Sequence, residues 1–147
     1  MSRSYPSRPI VGVGAVVWKG DEVLLVRRAR PPRIGSWTLP GGAQALGETI
    51  AEAIHREVRE ETGIEIRLLD VVAVVDLMDR DAKGNIRFHY TVVDFVAEWS
   101  SGEARPGDDA DSVVWIPPRR LHEYAVTDHV VSIIAEAANK RTLVASS

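Results

Sequence analysis

Three glutamates crowd one short stretch of this chain, Glu57, Glu60 and Glu61, within Arg56-Glu57-Val58-Arg59-Glu60-Glu61-Thr62-Gly63-Ile64. Carboxylates at i, i+3 and i+4 share one helical face, where like charges repel. With about 100° per residue and Glu57 set at zero, Glu60 falls at about −60° and Glu61 at about +40°. On the same wheel Ile50, Ile54 and Val58 fall at about +20°, +60° and +100°. The acidic arc therefore overlaps the apolar stripe that must face a core, while Glu52, Arg56 and Arg59 lie on the far, solvated side. An ionised carboxylate turned inward needs a partner, and its neighbours on that face are carboxylates too. A surface helix with an acidic edge is the bland alternative, and the usual meaning of a charge run. The overlap with the apolar stripe favours a hard divalent cation between the glutamates.

The flanks of the helix support that reading. Pro40-Gly41-Gly42 lies ahead of it, followed by Glu48. Glycine allows positive φ and close backbone approach, so a carbonyl or amide of this turn can reach a ligand. Glu48-Thr49 starts the helix, Glu52 suits the positive end of its dipole, and Gly63 ends it. A carboxylate and carbonyl oxygen set suits Mg²⁺ or Mn²⁺ rather than zinc.

The elements that must position these groups follow from periodicity. Residues 10–18 read as a buried strand and 23–28 as its hairpin partner. Residues 29–35 are a proline- and arginine-rich loop, and 36–39 a short strand into the glycine turn. The acidic helix spans about 49–62, within the uncertainty of helix ends. Residues 64–77 and 87–98 read as strands joined by the turn Ala82-Lys83-Gly84-Asn85. A polar loop over 100–111 precedes a strand at 112–116. A second helix fits 127–140, with Val130, Ile133, Ile134 and Ala137 as its apolar stripe. Residues 1–8 and 142–147 read as loose tails. The expected architecture is an α/β fold, a mixed sheet between helices, in a single domain over 1–147.

Composition bounds the function. The 147 residues are 45% hydrophobic and 27% charged, enough for one domain with its own core. A net charge of −3 gives no reason to expect a nucleic-acid or membrane partner. No run approaches the roughly 18 apolar residues of a membrane span. The basic start MSRSYPSRP lacks the apolar region of a signal peptide, and the absence of cysteine suits a reducing compartment. A cytoplasmic enzyme is the default expectation.

Gly42, five residues, Glu48, seven residues, then Arg56-Glu57-Val58-x-Glu60-Glu61-x-Gly63-Ile64 resembles the Nudix box, with seven fixed and two aliphatic positions in agreement. The close resemblance covers residues 42–64. It implies an α/β/α sandwich, with the box helix and a C-terminal helix packed on a mixed central sheet. It also implies divalent-metal-dependent hydrolysis of a nucleoside diphosphate linked to another moiety. Carried over by position, Glu57 and Glu61 are the principal metal ligands, Glu60 a further ligand or a base, and the Gly41 carbonyl another ligand. Arg56 takes the role of the arginine that orients a metal-binding glutamate; a plain surface salt bridge is its alternative. In several members of the family the base lies on a loop ahead of a late strand. The matching loop, residues 102–111, holds Glu103, Asp108, Asp109 and Asp111, of which Asp108 and Asp109 are the leading candidates. These acids could equally form a solvated loop, and Glu60 competes as base.

Substrate contacts are sought around the turn. Arg27, Arg28, Arg30 and Arg33 crowd its approach, and phosphate is a natural partner for arginine. Trp37 either stacks on a base or ribose or packs in the core. Trp115 reads as structural, His89 and Tyr90 as core or cleft residues, and His55 as bland. Residues 27–47 resemble the ADP-ribose pyrophosphatase-like branch, which implies ADP-ribose or a nucleotide sugar as substrate. Arg80 and Asp81 stand where marker proline and tyrosine residues of two substrate branches would be. A nucleoside triphosphate pyrophosphohydrolase is therefore the runner-up. A non-catalytic nucleotide sensor is a third reading, against which the intact box glutamates speak. Small family members are often dimers, which allows a homodimer here.

Overall fold

Alternation along the first hairpin decides which way everything else packs. The computed structural model describes residues 3–146. In it β1 (Ile10–Lys19) and β2 (Glu22–Arg28) are joined through Gly20, whose φ of 63° favours glycine. Val13, Ala15 and Val17 of β1 share one face with Leu24 of β2, whereas Val16 and Trp18 share the other with Val23 and Leu25. Strands apolar on both sides must be covered on both sides.

Helix α1 (Ile50–Thr62) covers the first face with Ala53, Ile54 and Val58, and α2 (Asp128–Ala145) covers the second with Val130, Ile133, Ile134 and Ala137. Full burial of a side chain such as Ile54 or Val58 contributes about 1.5–3 kcal/mol. The result is the expected α/β/α sandwich.

The remaining strands are β3 (Trp37–Thr38), β4 (Gly41–Ala43), β5 (Glu65–Arg80), β6 (Ile86–Ser101) and β7 (Ala110–Ile116). Among the described residues the seven strands form one mixed sheet in the order β3-β2-β1-β6-β5, with β4 paired to β1 and β7 to β2. β1 and β6 are parallel, from Ile10 beside Tyr90 to Trp18 beside Glu98. The other edge of β1 is divided: β4 pairs with Gly12–Gly14, and β2 takes over at Trp18 and Lys19. Between these pairings the β3–β4 link passes, and a cavity opens there.

Four expectations change. Residues 41–43 form a strand, not a turn, and neither Gly41 nor Gly42 has positive φ. A 3₁₀ helix (Pro118–Glu123) follows β7, between the strand expected at 112–116 and the helix expected at 127–140. α2 continues to Ala145 because its last turns are held: Arg141 Nη2 donates to Glu98 Oε1 at 2.8 Å, and Lys140 Nζ lies 3.3 Å from Asp70 Oδ2. The tail expected over 142–147 is thus helical as far as Ala145, and Ser147 lies outside the described residues. At the other end, Tyr5 N donates to the Arg87 carbonyl at 2.7 Å and its hydroxyl to Asp81 at 2.9 Å. The tail expected over 1–8 is therefore pinned at Tyr5, and its first two residues lie outside the described residues.

Candidate active site

α1 begins with a reciprocal cap that fixes its first turn. Thr49 Oγ1 accepts from Glu52 N at 3.0 Å, and Glu52 Oε1 accepts from Thr49 N at 2.9 Å. The helix ends at Gly63, with φ of 76°, whose N–H donates to the Arg59 carbonyl. Between these ends Glu57 and Glu61, one turn apart, point toward β4.

Close approach, not turn geometry, explains the glycines. A Cβ on Gly42 would collide with the Glu57 carboxylate, and one on Gly41 with the Val13 carbonyl. With no side chain there, Gly41 N donates to Glu61 Oε1 at 3.2 Å. Burial pushes the Glu61 carboxyl up to about 7; the Gly41 N–H opposes that shift and the nearby Glu57 charge adds to it. Burial also raises Glu57, against the pull of the Arg56 guanidinium.

Arg56 does not sit on a solvated face as the helical wheel suggested. Its Nε donates to Glu48 Oε2 at 2.6 Å and its Nη2 to Glu48 Oε1 at 2.9 Å. Nη1 donates to Glu57 Oε1 at 2.7 Å and Glu60 Oε2 at 3.1 Å, and Nη2 also to the Ala43 carbonyl at 2.9 Å. This fork, with help from Ala45 N, holds Glu48 down to about 2. The glutamates are thereby sorted: Glu57 and Glu61 line the cavity, while the Glu60 side chain stays 44% exposed and does not line it.

The loop after β6 is docked onto the end of α1. Arg105 N donates to Thr62 O at 2.9 Å and Gly107 N to Glu61 O at 2.8 Å. This docking carries Asp109 to the cavity, where its charge acts on Glu61, and its carboxylate pairs with Arg30 at 2.7 Å. Asp108, at a φ of 47°, is exposed and does not line the cavity. Glu103 is also exposed, and Asp111 is paired with Arg27 at 2.6 Å.

The cavity measures about 540 Å³. Arg28, Arg33 and Trp37 line it, whereas Arg27 does not. Arg28 Nε is steadied by the Pro32 carbonyl at 2.7 Å. The Trp37 ring meets Tyr124 edge-on, with centroids 5.3 Å apart. Among the lining residues that escaped the sequence reading are Arg3, Asp79, Arg87, His129 and Asp94. Only Asp94 left a signal, as a lone acid inside the apolar run Thr91-Val92-Val93-Asp94-Phe95-Val96-Ala97.

Two half-buried carboxylates, with the Glu57 charge raising Glu61, fit a hard divalent cation, which would relieve the repulsion that burial magnifies. Among the described residues no three acidic or histidine side chains converge to enclose an ion by themselves. Waters and substrate oxygens would have to complete the shell, as Mg²⁺ prefers.

A sandwich of this topology, with a buried acidic helix face behind a glycine strand, defines a class of metal-assisted hydrolases. The NUDIX domain family model matches residues 8–135. The chain is 32% identical over 128 residues to the ADP-ribose pyrophosphatase of Methanocaldococcus jannaschii, covering 83% of this chain and 73% of that protein. It is 37% identical over 115 residues to a putative 8-oxo-dGTP diphosphatase 2 of Mycobacterium tuberculosis, covering 78% and 77%. A MutT Nudix hydrolase structure from Burkholderia pseudomallei superposes with a TM-score of 0.77 at 30% identity, covering 88% of this chain and 98% of that one. The chain belongs to the Nudix family and is a Nudix hydrolase. Among its described residues no helix is long and apolar enough to cross a membrane.

Proposed function

We propose that this enzyme hydrolyses a nucleoside diphosphate linked to another moiety, with ADP-ribose or a nucleotide sugar foremost. The observation that carries this reading is the pairing of two half-buried carboxylates, Glu57 and Glu61, with Arg28 and Arg33 around one nucleotide-sized cavity. Similarity to the archaeal ADP-ribose pyrophosphatase supports the substrate class.

Glu57 and Glu61, with Glu60 and the Gly41 carbonyl as further donors, would hold Mg²⁺ or Mn²⁺. When bound, the metal neutralises the diphosphate and lowers the pKa of an attacking water. Arg56 holds Glu48, Glu57 and Glu60 in one fork, which orients Glu57 toward the cavity. Arg28 and Arg33 counter the phosphate charge, and Trp37 offers a face for a base or ribose. Asp109, beside Glu61 on the docked loop, is the better-placed base for the water; Glu60 is its competitor and Asp108 is further from the reacting groups.

A second reading, a nucleoside triphosphate pyrophosphohydrolase, is favoured by the 37% identity to the mycobacterial protein. A panel with Mg²⁺ and Mn²⁺ separates the two. AMP released from ADP-ribose supports the first, and pyrophosphate released from a triphosphate supports the second. Hydrolysis of neither, or hydrolysis that survives a chelator, would overturn both. A chain without cysteine suits the cytoplasm, where fractionation would place it. Exposed Val74, Leu77 and Met78 on β5 would suit a homodimer, which sedimentation tests.

A further inference from the structure

The cavity has a further acid, more deeply buried, that the hydrolytic groups do not use. Asp94 is 4% exposed, lines the cavity, and has no hydrogen-bond partner among the described residues. It lies on β6 in register with Gly14 of β1, on the face covered by α2. A Cβ on Gly14 would fall 2.5 Å from Asp94 Oδ1, so any side chain there would cover the carboxyl. The glycine leaves it facing open space.

This acid is electrically separate from the metal end. The charges acting on Glu61 are those of Glu57, Arg28 and Asp109, whereas the charge acting on Asp94 is that of His129 from α2. On the face that Asp94 shares, the lining is mostly apolar or aromatic, Leu39, Tyr90, Val92, Val130 and Ile133, with Thr127 and His129 as its polar members. A phosphate would be repelled there. A sugar, with hydroxyls on every side, would leave most of them unmatched against such walls. A flat heterocycle with one polar edge matches both the walls and the single acid.

We propose that Asp94 reads the base of the substrate nucleotide by accepting a hydrogen bond from an exocyclic amino group, as adenine, guanine or cytosine presents. The assignment rests on the cavity being a nucleotide site, with the diphosphate at Glu57 and Glu61. Burial pushes the Asp94 carboxyl up to about 6, and either protonation form keeps an oxygen free to accept.

The test compares ADP-ribose with its hypoxanthine counterpart, in which an oxygen replaces the amino group. The wild-type enzyme should favour ADP-ribose in kcat/KM by about tenfold or more. Asp94→Asn, which adds an amide N–H donor, should narrow or reverse that ratio. An unchanged ratio, or an equal fall for both substrates, overturns the assignment. Calorimetric binding of AMP and IMP without metal keeps this test separate from the reaction. A preference for AMP that Asp94→Asn removes supports Asp94 even if ADP-ribose proves not to be hydrolysed. Equal binding of the two nucleotides to the wild-type protein overturns the assignment.

Discussion

The two ends of the cavity hold buried acids under opposite conditions. At one end Glu57 and Glu61 come with partners built in: the Arg56 fork, the Gly41 N–H and a docked loop carrying Asp109. At the other, Asp94 lies on the sheet face beneath α2 with only the His129 charge to steady it. Desolvation raises all three carboxyls. The difference lies in what surrounds them, and it teaches that burial alone does not make a catalytic acid. The supported pair is arranged to hold a cation, and the unsupported acid is free to meet a ligand.

The comparison can be broken first at the supported end. Glu61→Gln keeps the hydrogen bond from Gly41 but removes the charge. Mg²⁺-dependent turnover of the best substrate should fall about a thousandfold, on the scale of losing one major electrostatic contributor. Undiminished turnover would remove Glu61 from the site. Gly42→Ala tests the close approach of β4, since the new methyl must displace the Glu57 carboxylate. The expected loss in kcat/KM is about a hundredfold, with thermal unfolding little changed, because misplacement by about 1 Å costs that much. Wild-type kinetics in this variant would show that β4 does not position Glu57.

The unsupported end responds through stability. The folded-state pKa of Asp94, about 6, exceeds its ordinary value of 3.8. Folding therefore favours its protonated form. That contribution is complete below about pH 4 and is lost as pH rises through about 6. Asp94→Asn should be more stable than wild type at pH 8 by about 2–3 kcal/mol, with the gap closing toward pH 4. Denaturant unfolding at both pH values measures this, and a gap that does not vary with pH would show that Asp94 is not desolvated.

The smallest effect belongs to Arg27. It pairs with Asp111 at the surface and does not line the cavity. Arg27→Ala should cost under about 1 kcal/mol of stability and leave KM within about twofold, while Arg28→Ala should raise KM. Equal KM changes would return Arg27 to the substrate site.

The same contrast explains what could be read from the chain. α1 was legible because its information is local: cap, apolar stripe, acidic arc and terminal glycine all follow 3.6-residue spacing. The burial of β1 and its hairpin with β2 were legible because they too are local in sequence. Asp94 was not, since its position depends on the parallel pairing of β6 with β1 and on the seating of α2, both long-range. Gly41 and Gly42 were legible as sites of close approach, but not as strand residues, because dihedral freedom and close approach leave the same mark in a sequence. Arg56 was placed on the solvated face because a wheel fixes the direction of Cβ, not where a long side chain ends. Asp108 and Asp109 could not be told apart until the loop was seen docked on the Thr62 and Glu61 carbonyls.

The central claim is that Glu57 and Glu61 form the metal-binding half of the site. Calorimetric titration of the wild-type protein with Mn²⁺ near pH 7, beside Glu57→Gln and Glu61→Gln, tests it most directly. The account expects saturable binding that weakens by about tenfold or more in each variant, as loss of a charged ligand should cause. Equal binding by all three proteins, or none by the wild type, would contradict it.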